Sequence, residues 1–284
     1  MTTIHLDNET CILCNKCARI CTATIFYVDK ERKEMKTRYM ENCISCGHCV
    51  AVCPENSITH SSFPVGTIHA IDKSVLPTAD SVEMLIKSRR SNRAFSSKEI
   101  PEEYLERIIE AAYRCPTASN EQELEFTVVT NPDKLRLISR YTLDTFASLV
   151  NTLSPIKPLV RPFVKNADNL IAQFRMMESE FERGNDLILR KANAVILIHA
   201  HPKARFGMQD ANLAYQNASL MAESLGVAHF YTGFVYEANR MDRKKRLNKA
   251  LGIEGKIQAG MALGMPSFEF DNYIDRKPIR LRRV

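Results

Sequence analysis

Eight of the nine cysteines stand between positions 11 and 53 and spell one pattern twice: Cys11-x-x-Cys14-x-x-Cys17-x-x-x-Cys21, then Cys43-x-x-Cys46-x-x-Cys49-x-x-x-Cys53-Pro54. Thiolates at this interval suit a four-iron cube, in which three closely spaced sulfurs wrap one face and a fourth arrives from elsewhere. Other chemistries also use cysteine. Zinc sites take paired Cys-x-x-Cys knuckles, but rarely a third cysteine at the same interval followed by a fourth four residues later. Disulfides are expected behind a secretory segment, and Met1-Thr2-Thr3-Ile4-His5 has neither a basic nor an apolar leader region. Buried structural cysteines would not repeat at a fixed offset. The pattern favours two iron–sulfur clusters.

The repeat extends beyond the cysteines, since Asp7-Asn8-Glu9-Thr10-Cys11 aligns with Tyr39-Met40-Glu41-Asn42-Cys43, 32 residues on. Each half is expected to be a short strand, a cysteine loop and a short helix. This stretch resembles a bacterial-type two-cluster ferredoxin, including Pro54 after the last ligand. The resemblance implies crossed ligation: Cys11, Cys14, Cys17 and Cys53 on cluster 1, and Cys43, Cys46, Cys49 and Cys21 on cluster 2. Thr22 stands where the first run would usually carry proline, which implies a local change rather than loss of a cluster. His48, between Cys46 and Cys49, is either a tuning hydrogen-bond donor or a surface side chain of the loop.

A chain of 284 residues allows one or two domains with ample core. The densest apolar run, Ala194 to Ile198, is strand-sized, so no membrane span is expected. A soluble, cytoplasmic protein in a reducing compartment is the expectation. The net charge of +6 is uneven: residues 1–70 hold seven Lys/Arg and seven Asp/Glu, leaving the excess to the remainder. A neutral cluster segment fits a tethered carrier better than a freely diffusing acidic one. The basic tail Arg276, Lys277, Arg280, Arg282 and Arg283 is short and has no interleaved aromatics, so it is read as a solvated tail or phosphate clamp rather than a nucleic-acid surface.

The Ser/Pro/Gly-punctuated connector with Pro64 and Pro77 marks a boundary, giving residues 1–60 as the cluster domain, 61–79 as linker and 80–284 as a second domain. Asp80-Ser81-Val82-Glu83 is expected to open a helix, capped by Asp80 or Ser81. It runs into Arg89-Arg90-Ser91-Asn92-Arg93, whose guanidinium forks and hydroxyl suit a phosphomonoester. Pro101 then leads an amphipathic helix through Ala112, followed by Cys115-Pro116-Thr117-Ala118-Ser119-Asn120 and a strand over Glu125 to Thr130. Cys115 is read as a packing residue rather than a redox thiol. Further on come a buried strand through Ala194 to Ala200, a small-residue helix from Asp210 (its expected cap) to a stop at Gly226, and a closing strand from Ile257. Gly260-x-x-x-Gly264 is no dinucleotide fingerprint, since no βαβ unit follows it.

That order of motifs resembles the nitroreductase family of FMN enzymes, from about residue 80 onward. The resemblance implies an α+β domain, a mostly antiparallel sheet flanked by helices, working as a homodimer with FMN between subunits. It places Arg89, Arg90, Ser91 and Arg93 on the flavin phosphate, ribityl chain and pyrimidine edge. It assigns Pro116, Thr117, Ala118, Ser119 and Asn120 to a loop covering the flavin of the partner subunit, Thr232 and Gly233 to the backbone near flavin N5, and Arg276 and Lys277 to the phosphate. Thr117 replaces a frequent serine, and Glu123 and Leu124 depart from the usual loop exit. In Phe174, Met176, Met177 and Phe181 the family would find pocket walls, while helical spacing alone would find core.

Together the resemblances imply electrons passing from two 4Fe–4S clusters to FMN and on to a small acceptor such as a nitroaromatic or quinone. The donor would be a ferredoxin or flavodoxin, or NAD(P)H. No side-chain acid or base stands out as catalytic, because flavin carries the chemistry. Ene reduction or reductive dehalogenation on the same scaffold, and a non-enzymatic electron-transfer or redox-sensing module, are the alternatives.

Overall fold

The computed structural model describes residues 2–153 and 167–284; the proline-interrupted stretch around Pro155, Pro158 and Pro162 lies outside them. By contact the chain divides into two units, Met1–Pro77 with Thr117–Glu121, and Thr78–Pro116 with Gln122–Val284.

The first unit is built on the duplication. Helix α1 (Lys16–Ile20) and helix α2 (His48–Val52) start 32 residues apart, as the cysteine runs do. Each half also gains a strand after its helix, which the sequence reading did not include. Strand β1 (Ile4–Leu6) pairs antiparallel with β4 (Ile58–His60), and β2 (Phe26–Asp29) pairs with β3 (Glu34–Thr37). The first strand of one half is thereby closed on the last strand of the other. Cys17, Cys49, Ile25, Phe26, Met35, Val50 and Ile58 form the small core beneath. So little apolar surface is a thin foundation for an independent unit, and the cysteine-bound groups would supply the rest.

The second unit is a four-stranded antiparallel sheet in the order β5 (Leu124–Val129), β6 (Ala194–Ala200), β8 (Lys256–Gly264), β7 (Ala228–Tyr231). All of β6 is buried, and its two faces alternate. Val195 and Leu197 join a core with Ile138, Phe146 and Leu247, while Ala194, Ile196 and Ile198 join one with Ile108, Ala211 and Met261. Helices therefore cover both faces, the α+β arrangement expected from the motif order. On one side lie α5 (Pro132–Leu153), α6 (Ala167–Glu182) and α8 (Gly233–Met241); on the other lie α4 (Glu102–Tyr113) and α7 (Gly207–Ser224). Helix α3 (Ala79–Ser88) precedes them, and the short α9 (Arg246–Leu251) leads into β8.

Two helix starts differ from expectation. Thr78 caps α3, its hydroxyl accepting from the Ser81 amide at 3.2 Å, and Asp80 sits inside the first turn. Helix α7 begins at Gly207, so Asp210 lies buried in its first turn instead of capping it. The stop at Gly226 is as expected: its φ of +68° ends the helix in the left-handed region, and Val227 N–H reaches back to Ala222 C=O at 2.8 Å. Along α7, Ala211, Ala214, Ala218 and Ala222 are buried at helical spacing, small enough to bring the helix close to the sheet and to α4. Among the described residues no helix is long and apolar enough to cross a membrane.

Candidate functional site

The eight patterned cysteines fall around two clefts of the first unit. One is lined by Cys11, Cys14, Cys17 and Cys53, together with Pro54 and Met35. The other is lined by Cys21, Cys43, Cys46 and Cys49, with Thr22 and His60. The fourth cysteine of each run thus turns to the cleft of the other run. Helices α1 and α2 cause this: each carries its third cysteine into the core and delivers its fourth past the far end, toward the neighbouring loop. Among the described residues no three metal-binding side chains converge tightly enough to hold a single ion. Thiols spread around the walls of a cleft instead suit a group of several metal atoms, each taking one sulfur.

The backbone of both loops is shaped alike. Leu13 and Asn15 have φ of 57° and 61°, and Ser45 and Gly47, the equivalent positions, have 48° and 73°. Left-handed residues at alternate positions bend each loop in the same way, a turn of the backbone that can aim N–H groups at an anionic cluster. At Gly47 an added Cβ would stand 3.2 Å from the Phe63 ring, so both the dihedral and the packing ask for glycine. Two amides already point at sulfur: Ser45 N–H to Cys43 Sγ at 3.4 Å, and Ser57 N–H to Cys53 Sγ at 3.3 Å.

A side chain also reaches a sulfur, and it is His60, not His48. Nε2 of His60 lies 3.5 Å from Cys43 Sγ, while Nδ1 accepts the Ser62 amide at 3.1 Å. The residue is buried, and burial pushes its pKa below the ordinary imidazole value. His48 lines the same cleft but is exposed. Of its two readings, His48 takes that of a surface side chain of the loop, and the β1–β4 pairing brings in His60 from 17 residues beyond Cys43.

Thr117–Glu121 packs as part of this first unit. There the Asn120 side-chain amide donates to the carbonyls of Ile44, at 3.3 Å, and Ser45, at 2.9 Å. Ser119 and Asn120 have φ of 51° and 56°, a tight bend that orients the amide.

In the second unit, Arg93, Thr232 and Gly233 line one cavity of about 530 Å³, with Phe230, Phe234 and Arg190. The Arg93 guanidinium stands 5.3 Å from the Phe230 ring centroid. Ala94 to Ser96 is pinned to the segment after β8, with Ser96 N–H on Met265 C=O at 2.8 Å and Ser267 N–H on Ala94 C=O at 2.9 Å. Asn92, which the motif reading passed over as a spacer, is buried and organises the bend: its Oδ1 accepts from Ala94 N–H and its Nδ2 donates to Phe268 C=O. Arg89 and Arg90 are half-buried; Ser91 and Arg93 are exposed.

Thr232 ends β7 and begins α8. Among the described residues its hydroxyl is buried without a partner, as is His229 Nε2. His229 Nδ1 lies 3.2 Å from the Val227 carbonyl and so carries the proton, leaving Nε2 as a bare acceptor. Burial, with the nearby positive Arg89, drives the His229 pKa down to about 4. Gly260 is required here, because a Cβ would collide with Thr232 Oγ1. At Gly233 an added Cβ would meet nothing nearer than Tyr231 Cδ1 at 3.7 Å, so the space over the start of α8 is left open by the protein. An uncapped helix N-terminus and an arginine on one cavity wall fit an anionic, hydrogen-bonding ligand.

The remaining expected residues are not drawn into this cavity. Arg276 and Lys277 lie on the exposed segment after β8, and Pro116 to Asn120 are absent from the cavity wall. Phe174, Met177 and Phe181 are core and Met176 is exposed, and none of the four is among the residues lining this cavity. Phe174 nevertheless backs the cavity, edge-on to Phe234 at 6.4 Å. Cys115 is buried with its Sγ 3.7 Å from the Asp210 carbonyl, and burial raises its pKa, as suits a packing residue. Arg190 escaped the sequence reading because no motif surrounds it; its φ of 58° turns it onto the cavity. A larger cleft of about 820 Å³, bounded by Glu99, Asp133, Arg136 and Asp186, is lined by Phe181 but by none of the residues expected to bind a cofactor.

Residues 86–265 match the family model described as Nitroreductase family, and residues 4–60 match one described as 4Fe-4S dicluster domain. A protein of Archaeoglobus fulgidus named for NADH dehydrogenase and NAD(P)H nitroreductase activity is 29% identical over 196 residues, 66% of this chain and 87% of its own. Ferredoxin-3 of Nostoc sp. is 32% identical over 72 residues, covering 20% of this chain and 74% of its own. Among solved structures, a nitroreductase with bound FMN from Bacteroides fragilis superposes with a TM-score of 0.52 at 24% identity, over 72% of this chain and 98% of that one. That last likeness is one of fold.

Proposed function

Since this chain belongs to the nitroreductase family and carries an N-terminal 4Fe–4S dicluster domain, we propose that it is an iron–sulfur flavoprotein reductase. In it two 4Fe–4S clusters pass electrons to FMN and on to a small acceptor such as a nitroaromatic or quinone. The observation that carries this reading is the pair of clefts, each ringed by four thiols drawn from both cysteine runs. Cys11, Cys14, Cys17 and Cys53 would hold cluster 1, and Cys21, Cys43, Cys46 and Cys49 cluster 2. The domains are taken as 1–60, a linker over 61–79, and 80–284.

For FMN, the cavity with Arg93, Thr232 and Gly233 offers a cation and an open helix start. Arg89, Arg90, Ser91, Arg276 and Lys277 would hold the phosphate and ribityl chain, and Pro116 to Asn120 would come from the partner of a homodimer. Exposed Val82, Met84 and Ile86 on α3, and Ile274, Ile279 and Leu281 in the tail, supply apolar surface for such a dimer. Bound FMN would supply hydride or single-electron transfer, while the protein sets position, potential and access. Arg93 would favour negative charge on the reduced ring. The Asn120 contacts to Ile44 and Ser45 support transfer from the clusters, because the stretch assigned to cover flavin is itself held on a cluster loop. A one-electron donor such as a ferredoxin or flavodoxin suits this relay, with NAD(P)H as the other donor, and the compartment would be the cytoplasm. Single-turnover mixing of reduced protein with a nitroaromatic tests the reading: iron–sulfur and flavin bands should bleach and recover together.

A further inference from the structure

The two halves of the cluster domain are near copies, yet one cluster has a hydrogen-bond donor that the duplication does not supply to the other. Cys43 and Cys11 are equivalent, and so are His60 and Val28. Val28 has no polar atom to offer. His60 stands with Nε2 3.5 Å from Cys43 Sγ.

The tautomer follows from the other nitrogen. A backbone amide can only donate, so Nδ1, which takes the Ser62 N–H at 3.1 Å, is an acceptor. A neutral imidazole with a bare Nδ1 carries its hydrogen on Nε2, and that hydrogen faces the sulfur. The ring is also fixed in place. It is 4% exposed, and Phe63 lies against it with centroids 4.8 Å apart; Phe63 in turn packs on Gly47 of the cluster loop.

A donor aimed at a ligating thiolate stabilises the more negative, reduced cluster more than the oxidised one, and so raises its potential. We propose that His60 is a potential-setting residue for the cluster of Cys21, Cys43, Cys46 and Cys49, holding that cluster above the other so that a single electron entering the pair settles on it. The assignment rests on the two-cluster reading of the cysteines. It also gives the two halves different tasks: the cluster whose loop carries the Asn120 contacts is the one on which the electron collects.

The test is an EPR-monitored redox titration of the full chain, with iron assayed on each sample, for the wild type, His60→Phe and His60→Gln. Two midpoints are expected in the wild type. In His60→Phe the higher one should fall, the reduced-to-oxidised ratio at fixed potential dropping by about tenfold, equivalent to 59 mV for one electron, while the lower one stays. His60→Gln, which keeps an N–H donor, should fall by less. Full iron content with both midpoints unmoved in His60→Phe would overturn the role of His60 and leave the cluster reading standing. A wild-type protein that takes up no iron would overturn both. Should His60→Phe lose its iron, the glutamine variant and the wild type decide: two coincident wild-type midpoints, both unchanged in His60→Gln, would refute the proposal.

Discussion

Asn120 donates through its side-chain amide to the Ser45 carbonyl at 2.9 Å, between the cysteines Cys43 and Cys46. A second contact, to Ile44 C=O, makes this a two-point anchor. The stretch that family resemblance casts as flavin cover is therefore tied to the backbone that wraps a cluster.

Replacing Asn120 with alanine should leave iron content unchanged and slow flavin reduction by the clusters, measured per bound FMN. Losing hydrogen bonds to two carbonyls costs about 1–3 kcal/mol of positioning, a loss of rate of roughly 5- to 150-fold if all of it falls on transfer. Stopped-flow reduction under anaerobic conditions, followed at iron–sulfur and flavin wavelengths, reads it. Unchanged transfer in Asn120→Ala would remove the anchor from the account.

Crossed ligation makes a counterintuitive claim about Cys21. Although it lies four residues after Cys17, Cys21→Ser should damage the cluster of Cys43, Cys46 and Cys49 and leave that of Cys11, Cys14, Cys17 and Cys53 intact. Iron should fall from about eight to about four atoms per chain if the damaged cluster is lost. The spectrum of the survivor should match that of the cluster remaining in Cys46→Ser and differ from that remaining in Cys14→Ser.

Arg93→Ala should lower FMN affinity on the order of 10–100-fold, the scale of one charge-assisted hydrogen bond, with both clusters retained. Fluorescence of released flavin measures it directly. Equal affinity and equal flavin potential in the variant would take Arg93 out of the site.

Strand β7, whose end borders that cavity, carries a pH signature. His229 is buried and neutral, with a pKa near 4 against an ordinary 6.5. Between these values the unfolded chain binds a proton that the native chain does not. Its contribution to stability is therefore complete above pH 6.5 and is lost as pH falls toward 4, with a slope of up to about 1.4 kcal/mol per pH unit. The acid-side loss of thermal stability should be shallower in His229→Asn than in the wild type. Parallel pH profiles would show that His229 is not the titrating group.

Much of this was legible in the residues because chemistry constrains their spacing. A four-iron cube dictates the cysteine intervals, so the grouping around two clefts could be read from positions 11 to 53. Arg93, Thr232 and Gly233 were found in motifs whose order along the chain resembles a known family. What escaped was set by packing. His48 drew attention as a ligand's neighbour, whereas strand pairing delivered His60. Asp210 looked like a cap, but Met208 and Gln209 are good helix formers and Gly207 stands only at the first position, so α7 starts earlier. Thr78 lay beyond the segment in which a cap was sought. Arg190 has no pattern around it at all, only a left-handed bend that turns it to the cavity.

The central claim is that clusters and flavin form one electron path. Its most direct measurement is an anaerobic absorbance titration with iron and flavin assayed on the same sample, followed by mixing with a nitroaromatic. About eight iron atoms and one FMN per chain are expected, with both chromophores reoxidising together. Zinc in place of iron, or reduced centres that no small acceptor reoxidises, would contradict it.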